Sequence, residues 1–374
     1  MKSMNIAIAG EITPSKTIIP LIERLRELEK DGNLDFKINK IYGLYHGESS
    51  REFLKPYCNQ VFSIGEGRRG ERNSGPKLAY LIFRDILKAF NALRGKNIDL
   101  LITAGNAGDV RKAILAANLL SIPVLHIEQD IYNPIEFISH ANIVTVPSDD
   151  YKDLIERSYA LNNVVNISGY PMAAYVKKHI DDGNLIERDE IYAEYGVKDF
   201  VLVVLGGDLK DSDVEPLIRS LEELNLKTLI APYRFDRDFV KGFVLSPNLK
   251  VLPQYVDLLS FMNAASSLIF AAGMGMVIEA GVFGIPSLKI SGFHKTHGSV
   301  DLANLLDIPI VEIEDIPKAF ELLNHESNEN DLIENAYLAI DNLVDIINGF
   351  EKGKFKKSGF SSTKKIWNSR KEFR

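Results

Sequence analysis

The chain has 374 residues, 45% of them hydrophobic and 25% charged, with a formal net charge of −7; this is an ordinary globular composition with room for two domains. No apolar run reaches the ~20 residues that span a bilayer, and Met1 to Gly10 runs into a strand without a signal-peptide layout. A single cysteine, Cys58, excludes an internal disulfide framework and points to a reducing, cytoplasmic setting. The seven histidines show no metal-ligand spacing, His294 and His297 being the nearest to a pair, so neither metal nor cofactor is expected.

The charge is uneven. Nine Lys/Arg against one acid, Glu372, lie between Lys352 and Arg374, which puts the remaining residues near −15. An acidic body argues against nucleic acid as a partner. The basic tail reads either as a solvated, disordered end or as a lever for anionic lipid headgroups, at about 1 kcal/mol per basic residue near the surface.

In chain order, Asn5 to Ala9 reads as a strand and Ser15 to Lys30 as an amphipathic helix. A second strand follows at Ile41 to Tyr45. The loop Gly65 to Pro76 carries Arg68, Arg69 and Arg72 and leads into an apolar helix, Lys77 to Leu93. Leu100 to Ala104 is a buried strand, followed by Gly105-Asn106-Ala107-Gly108 and a helix to Leu120. Further strands are expected at Ile122 to Glu128, Asn142 to Pro147 and Val164 to Ser168. After a polar linker, Lys177 to Val197, the alternation restarts. Strands are expected at Phe200 to Leu205, Thr228 to Ala231, Leu249 to Leu252, Leu268 to Ala271, Ser287 to Ile290 and Pro309 to Ile313. A helix from Asp331 to Phe350 closes the folded part. Short apolar strands alternating with helices imply α/β architecture, with parallel sheets covered on both faces. We expect two Rossmann-like domains, 1–180 and 197–350, and a basic tail, 351–374, with the ligand at the carboxyl ends of the strands.

One stretch, Ser266 to Asn304, stands out. A buried strand, Leu268 to Ala271, meets Gly273-Met274-Gly275-Met276, and a short helix with one acid, Glu279, follows until Gly284-Ile285-Pro286 stops it. A strand, a glycine turn and a helix N-terminus form a phosphate site, because unpaired N–H groups and the helix dipole face outward. Glu279 lies where a ribose would sit, and a carboxylate accepting both ribose hydroxyls makes two bonds of about 1.5–3 kcal/mol each before desolvation. The stretch reads as a clamp for a nucleoside diphosphate.

These residues resemble the donor half of nucleotide-sugar glycosyltransferases of the GT-B fold, in particular the N-acetylglucosaminyltransferases that complete lipid II (glycosyltransferase family 28 type). That family carries A-G-A-x-T-x-x-E-x-x-x-x-G-x-P, then a His/Gln loop ending in Asn-Ala. Here the chain reads Ala272-Gly273-Met274-Gly275-Met276-Val277-Ile278-Glu279, with Gly284 and Pro286 in place and His294, His297 and Asn304 downstream. Val300 and Asp301 replace the family's two glutamines. Leu205-Gly206-Gly207-Asp208 resembles its Gly-Gly-Ser loop, with Asp208 weakening that phosphate contact. Ile122 to Gln129 resembles its I-P-V-x-x-H-E-Q segment, and Gly169-Tyr170-Pro171 its Gly-Asn-Pro. The first glycine-rich histidine loop is missing, since Gly10-Glu11-Ile12-Thr13-Pro14-Ser15 has one glycine and no histidine.

The resemblance implies an inverting, metal-independent transferase moving an N-acetylhexosamine from a UDP-sugar to an acceptor in cell-envelope synthesis. A polyprenyl-linked acceptor, at an anionic surface on the inner face of the membrane, would explain the apolar Lys77–Leu93 helix; burial in the domain core explains it equally. Donor contacts are expected from Gly206, Gly207, Gly273, Met274, Gly275, Met276, Glu279, His294, Asp301 and Asn304. The acceptor side would hold Asn106, Asp109 and His126. Glu128 and Glu11 are the first candidates for the base that takes the acceptor's proton. Asp211-Ser212-Asp213 reads as a helix start rather than a metal motif.

UDP-N-acetylglucosamine 2-epimerases share the fold and give a second reading. Pro20-Leu21, His126-Ile127-Glu128 and Glu279 resemble their motifs, whereas Asn106 and Gly206-Gly207-Asp208 depart from catalytic positions. A third reading is a non-catalytic nucleotide-sugar-binding subunit.

Overall fold

The computed structural model describes residues 2–65, 75–292, 295–324, 330–350 and 356–372. Seven strands form the first sheet: β1 (Lys2–Ala9), β2 (Phe36–His46), β3 (Gln60–Gly65), β4 (Leu100–Ala104), β5 (Val124–Ile127), β6 (Ile143–Val146) and β7 (Val164–Asn166). Six form the second: β8 (Val201–Val204), β9 (Thr228–Ala231), β10 (Leu249–Val251), β11 (Ser267–Phe270), β12 (Ser287–Ile290) and β13 (Ile310–Val311). Their orders are β3-β2-β1-β4-β5-β6-β7 and β10-β9-β8-β11-β12-β13, and the pairings are parallel. Central strands such as β4 (LLITA) and β8 (VLVV) are buried at every position, as helices on both faces require. Both sheets are Rossmann-like, as expected. Each order reverses beside its first strand, between β1 and β4 and between β8 and β11, and there the carboxyl ends leave a crevice.

Two glycines mark how tightly these points are built. A Cβ on Gly105, which has φ +77°, would lie 2.6 Å from Pro14 Cγ, so the turn after β4 presses on the turn after β1. In the second sheet a Cβ on Gly206 would come within 2.1 Å of the Ala271 carbonyl, so the loop after β8 lies on the end of β11.

The chain divides into a unit of Met1–Tyr175 with Glu334–Arg374 and a unit of Val176–Ile333. The second unit therefore ends near residue 333, where the sequence suggested 350. The Leu332–Asn348 helix instead adds Ala339, Leu343, Val344 and Ile347 to the core built by Ile18, Ile22 and Leu25 of the Ile12–Lys30 helix. Its i, i+4, i+5, i+8 stripe is what carries it there. Within the segment read as a linker, the Arg188–Tyr195 helix packs on the Leu258–Ala264 helix, Tyr192 Oη donating to the Ala264 carbonyl at 3.0 Å.

The basic tail differs from the expected solvated end. Phe360–Glu372 is a helix of the first unit, with Ile366 fully buried among Ala113, Ile138 and Tyr159. Ser139 and Thr363 hydroxyls meet at 2.7 Å, and Arg370 Nη1 donates to the Pro134 carbonyl at 2.7 Å. One buried isoleucine and a set of hydroxyls are enough to dock a segment whose charge suggested disorder, while Lys364 and Lys365 stay exposed.

The apolar helix spans Gly75–Leu93. Ala89 and Leu93 enter the core, but Tyr80, Phe83 and Leu87, one stripe at i, i+3 and i+7, are 64%, 61% and 44% exposed. Core burial thus explains only part of its apolar character. Arg68, Arg69 and Arg72 lie outside the described residues. Among those described, no helix is long and apolar enough to cross a membrane.

Candidate functional site

In the second unit, Gly273 caps the Met274–Phe283 helix directly after β11. A residue in a helix's first turn has no i−4 carbonyl to bond, so the N–H groups of Met274 and Gly275 point beyond the strand end, and the dipole adds to them. Met276 N–H closes a turn to the Gly273 carbonyl at 3.2 Å. Glu279, on the next turn, is 5% exposed. Gly206 and Gly207 follow β8, at the same crevice. The sequence thus brings Gly206, Gly207, Gly273 to Met276 and Glu279 to one switch point.

Asp208 is paired with a buried lysine. Its carboxylate lies 3.3 Å from Lys289 Nζ, which is also 3.3 Å from the Ala272 carbonyl. Lys289 sits inside β12 and its side chain is 2% exposed. A buried charge of this kind persists only when paired, and Lys289 and Asp208 supply each other's partner. The signal was legible: one lysine in the apolar strand Ser287–Ile290.

His297 caps the Gly298–Leu305 helix, its Nδ1 accepting from Ser299 N–H at 3.0 Å, and its ring comes within 3.8 Å of where a Gly273 Cβ would be. Asp301 is half-buried and Asn304 exposed on that helix. His294 lies outside the described residues. Asp213 accepts from Lys210 N–H at 2.8 Å, so Asp211-Ser212-Asp213 starts a helix. After β9, exposed Tyr233 has φ +53°, a left-handed conformation that costs of order 1–3 kcal/mol for a bulky residue. It aims Arg234 so that Nη1 donates to the Gly207 carbonyl at 3.0 Å. Arg234 is the cation that sequence reading missed beside this loop.

In the first unit, Glu11 caps the helix after β1, His46 ends β2, and Asp109 lies in the first turn of the Gly108–Leu119 helix after β4. One ligand atom of each lies within 4.8 Å of the others. Asp109 has no exposure, and among the described residues its oxygens meet no side-chain donor, only the backbone N–H groups of Val110 and of Asp109 itself. Burial, and then the negative Glu11, push its carboxyl up to about 7. Burial and Lys112 push His46 down to about 4, which keeps the ring neutral. Lys112 Nζ is 3.3 Å from His46 Nε2 and 2.7 Å from Asp85 Oδ2. Burial alone would raise Asp85, but Lys112 and Arg84 hold it below the usual carboxylate range. His46 and Lys112 carried no sequence signal.

The other candidates of this unit are committed to internal bonds. Glu128 Oε1 accepts from Gln129 and Asp130 N–H, each at 3.0 Å, and its Oε2 lies 3.3 Å from His126 Nε2. His126 is fully buried, with Nδ1 2.9 Å from Thr103 Oγ1. Asn106 donates toward Asp130 at 3.4 Å. Glu128 is thus held as an acceptor for its own loop, whereas Glu11 and Asp109 form the first unit's acid pair at the switch point.

No family model and no curated protein matches the chain. Solved structures do. The chain is similar to the UDP-GlcNAc 2-epimerase of Methanocaldococcus jannaschii, solved with UDP-GlcNAc and UDP, at 15% identity and TM-score 0.69, over 92% of this chain and 99% of that one. It is similar to the UDP-GlcNAc 2-epimerase of Neisseria meningitidis, bound to UDP-GlcNAc, at 14% identity and TM-score 0.69, over 92% and 100%. MurG of Acinetobacter baumannii matches at 16% identity and TM-score 0.54, over 94% and 100%. At these identities the likeness is one of fold: the chain has the GT-B type of paired Rossmann-like sheets seen in nucleotide-sugar enzymes.

Proposed function

We propose that the chain is an enzyme acting on a UDP-sugar, a UDP-N-acetylhexosamine by class, and that it inverts a sugar carbon as the 2-epimerases do. The observation that carries this is the buried Glu279 one turn behind the Gly273–Met276 helix start, at the second sheet's switch point. In this reading the first-turn N–H groups and Arg234 take the diphosphate, and Glu279 accepts the ribose hydroxyls. Support for inversion over transfer comes from the epimerases, which match at 0.69 where MurG matches at 0.54.

Transfer to a lipid-linked acceptor by a protein peripheral to the cytoplasmic membrane face is the second reading. The exposed Tyr80, Phe83 and Leu87 stripe favours it. Phosphorus and proton NMR of the protein with UDP-N-acetylglucosamine in D2O separates the readings. A second UDP-sugar, deuterated at carbon 2, is the expected result. UDP released only when polyprenyl-phosphate lipid is added would establish the transferase instead. UDP binding with no turnover of any donor would leave a binding subunit.

A further inference from the structure

We propose that the buried pair of Lys289 and Asp208 positions the anion site of the second unit, and so gives it a preference for a nucleoside diphosphate over the bare nucleoside. This rests on the UDP-sugar reading above. Stability alone does not account for the pair. Lys289 lies inside β12 between Leu288 and Ile290, its side chain 2% exposed and that of Asp208 11% exposed. Taking two charges out of water costs about as much as their attraction returns, and apolar residues of similar volume usually serve a fold as well or better. The contact is also long, 3.3 Å from Nζ to Oδ2, against the roughly 2.7–2.9 Å of a strong charge-assisted bond. What the pair does is hold neighbouring segments at one point.

β8 and β11 run side by side, and Ala271 N–H still donates to the Val204 carbonyl at 3.1 Å. Beyond that bond the two chains part into Gly206-Gly207-Asp208 and Ala272-Gly273. Among the described residues one backbone bond remains near their roots, Asp208 N–H to the Ala271 carbonyl, stretched to 3.5 Å. Lys289 takes over where the ladder stops. It stands opposite Phe270, the last residue of β11. From there its ammonium reaches Asp208 Oδ2 in one loop and the Ala272 carbonyl in the other, each at 3.3 Å. A Cβ on Gly292 would lie 2.4 Å from Asp208 Cβ, so the turn after β12 rests on the same residue.

The bond to Ala272 bears on the anion site directly. In a trans peptide the C=O and N–H point in opposite directions. A lysine that draws the Ala272 carbonyl inward therefore turns the Gly273 N–H outward, beside the first-turn N–H groups of Met274 and Gly275. Among the described residues the Gly273 N–H has no acceptor. The bond to Asp208 fixes the loop after β8, whose Gly207 carbonyl accepts from Arg234. Lys289 and Asp208 are positioning residues: they act through these two loops, and their charges cancel. Glu279 sits one turn further along the helix, so disturbing the pair alters the phosphate half of the site before the ribose half.

The test is calorimetry on the whole chain with UDP and with uridine. It compares wild type with the double variant K289M/D208N, which removes both charges and leaves neither buried alone. Wild type should bind UDP more tightly than uridine. The double variant should lose about tenfold or more for UDP, the worth of one or two phosphate bonds, and less than about threefold for uridine. An unchanged UDP-to-uridine ratio in the double variant overturns the proposal. So does a double variant no more stable than K289M, because the pair would then serve stability. A wild type that binds UDP no better than uridine sinks the UDP-sugar reading instead, and amide hydrogen exchange without ligand then decides the positioning. Faster exchange at residues 206–208 and 273–275 in the double variant, with β8 and β11 unchanged, supports it; equal exchange overturns it.

Discussion

Replacing Asp109 by asparagine should make the first unit more stable above neutral pH and leave it unchanged near pH 4. Asp109 is wholly buried, and its carboxyl is pushed from an ordinary 3.8 to about 7. The folded protein therefore keeps a proton that the unfolded chain releases from about pH 4 upward. Wild-type stability must fall as pH rises between those two values and level off above the higher one. Three units at ~1.4 kcal/mol each make the loss about 4 kcal/mol, a large share of the 5–15 kcal/mol typical of a domain. Asparagine has the same shape and no proton to lose. Guanidinium unfolding at a series of pH values reads the gap. Trp367, the only tryptophan, lies on the Phe360–Glu372 helix of the first unit and reports that unit. Parallel wild-type and D109N stabilities from pH 4 to 8, or a less stable D109N at pH 8, would refute the reasoning.

Four further outcomes are expected. Glu279→Ala should weaken UDP binding by about 10- to 100-fold in calorimetry, from the loss of one or two charge-assisted bonds. Arg234→Ala should cost roughly tenfold for UDP and much less for uridine, since only the diphosphate would meet the guanidinium; equal losses for both would place Arg234 elsewhere. Lys289→Met should destabilise the second unit by about 3–5 kcal/mol by leaving Asp208 buried and unpaired, and adding Asp208→Asn should recover most of it. Ile366→Ala should cost the first unit about 2–5 kcal/mol in denaturant unfolding, whereas a freely solvated tail would show no change.

Much of the architecture was legible because it rests on local pattern. Leu100–Ala104, Thr228–Ala231 and Ser287–Ile290 are short, mainly apolar runs, and they form strands with those limits. Gln60–Gly65 is an edge strand with a polar start, and no pattern flags it. The Arg188–Tyr195 helix hid in a charged stretch because only Ile191 is buried. The Leu332–Asn348 helix was found but assigned to the wrong partner, since its apolar stripe fits either sheet and says nothing of which one it covers.

The sites divide along the same line. The clamp around Gly273 and Glu279 is contiguous in sequence, so residue order alone placed a glycine turn, a helix start and an acid at one strand end. Pairing Lys289 with Asp208 needed the fold, for β12 lies beside β11, and β11 beside β8, only through the strand order. The acid pair needed it more. Glu11, His46 and Asp109 lie far apart in the chain, and they meet because β2, β1 and β4 are neighbours whose carboxyl ends share one crevice. Sequence determines which residues can carry charge; strand order decides which charges are buried together.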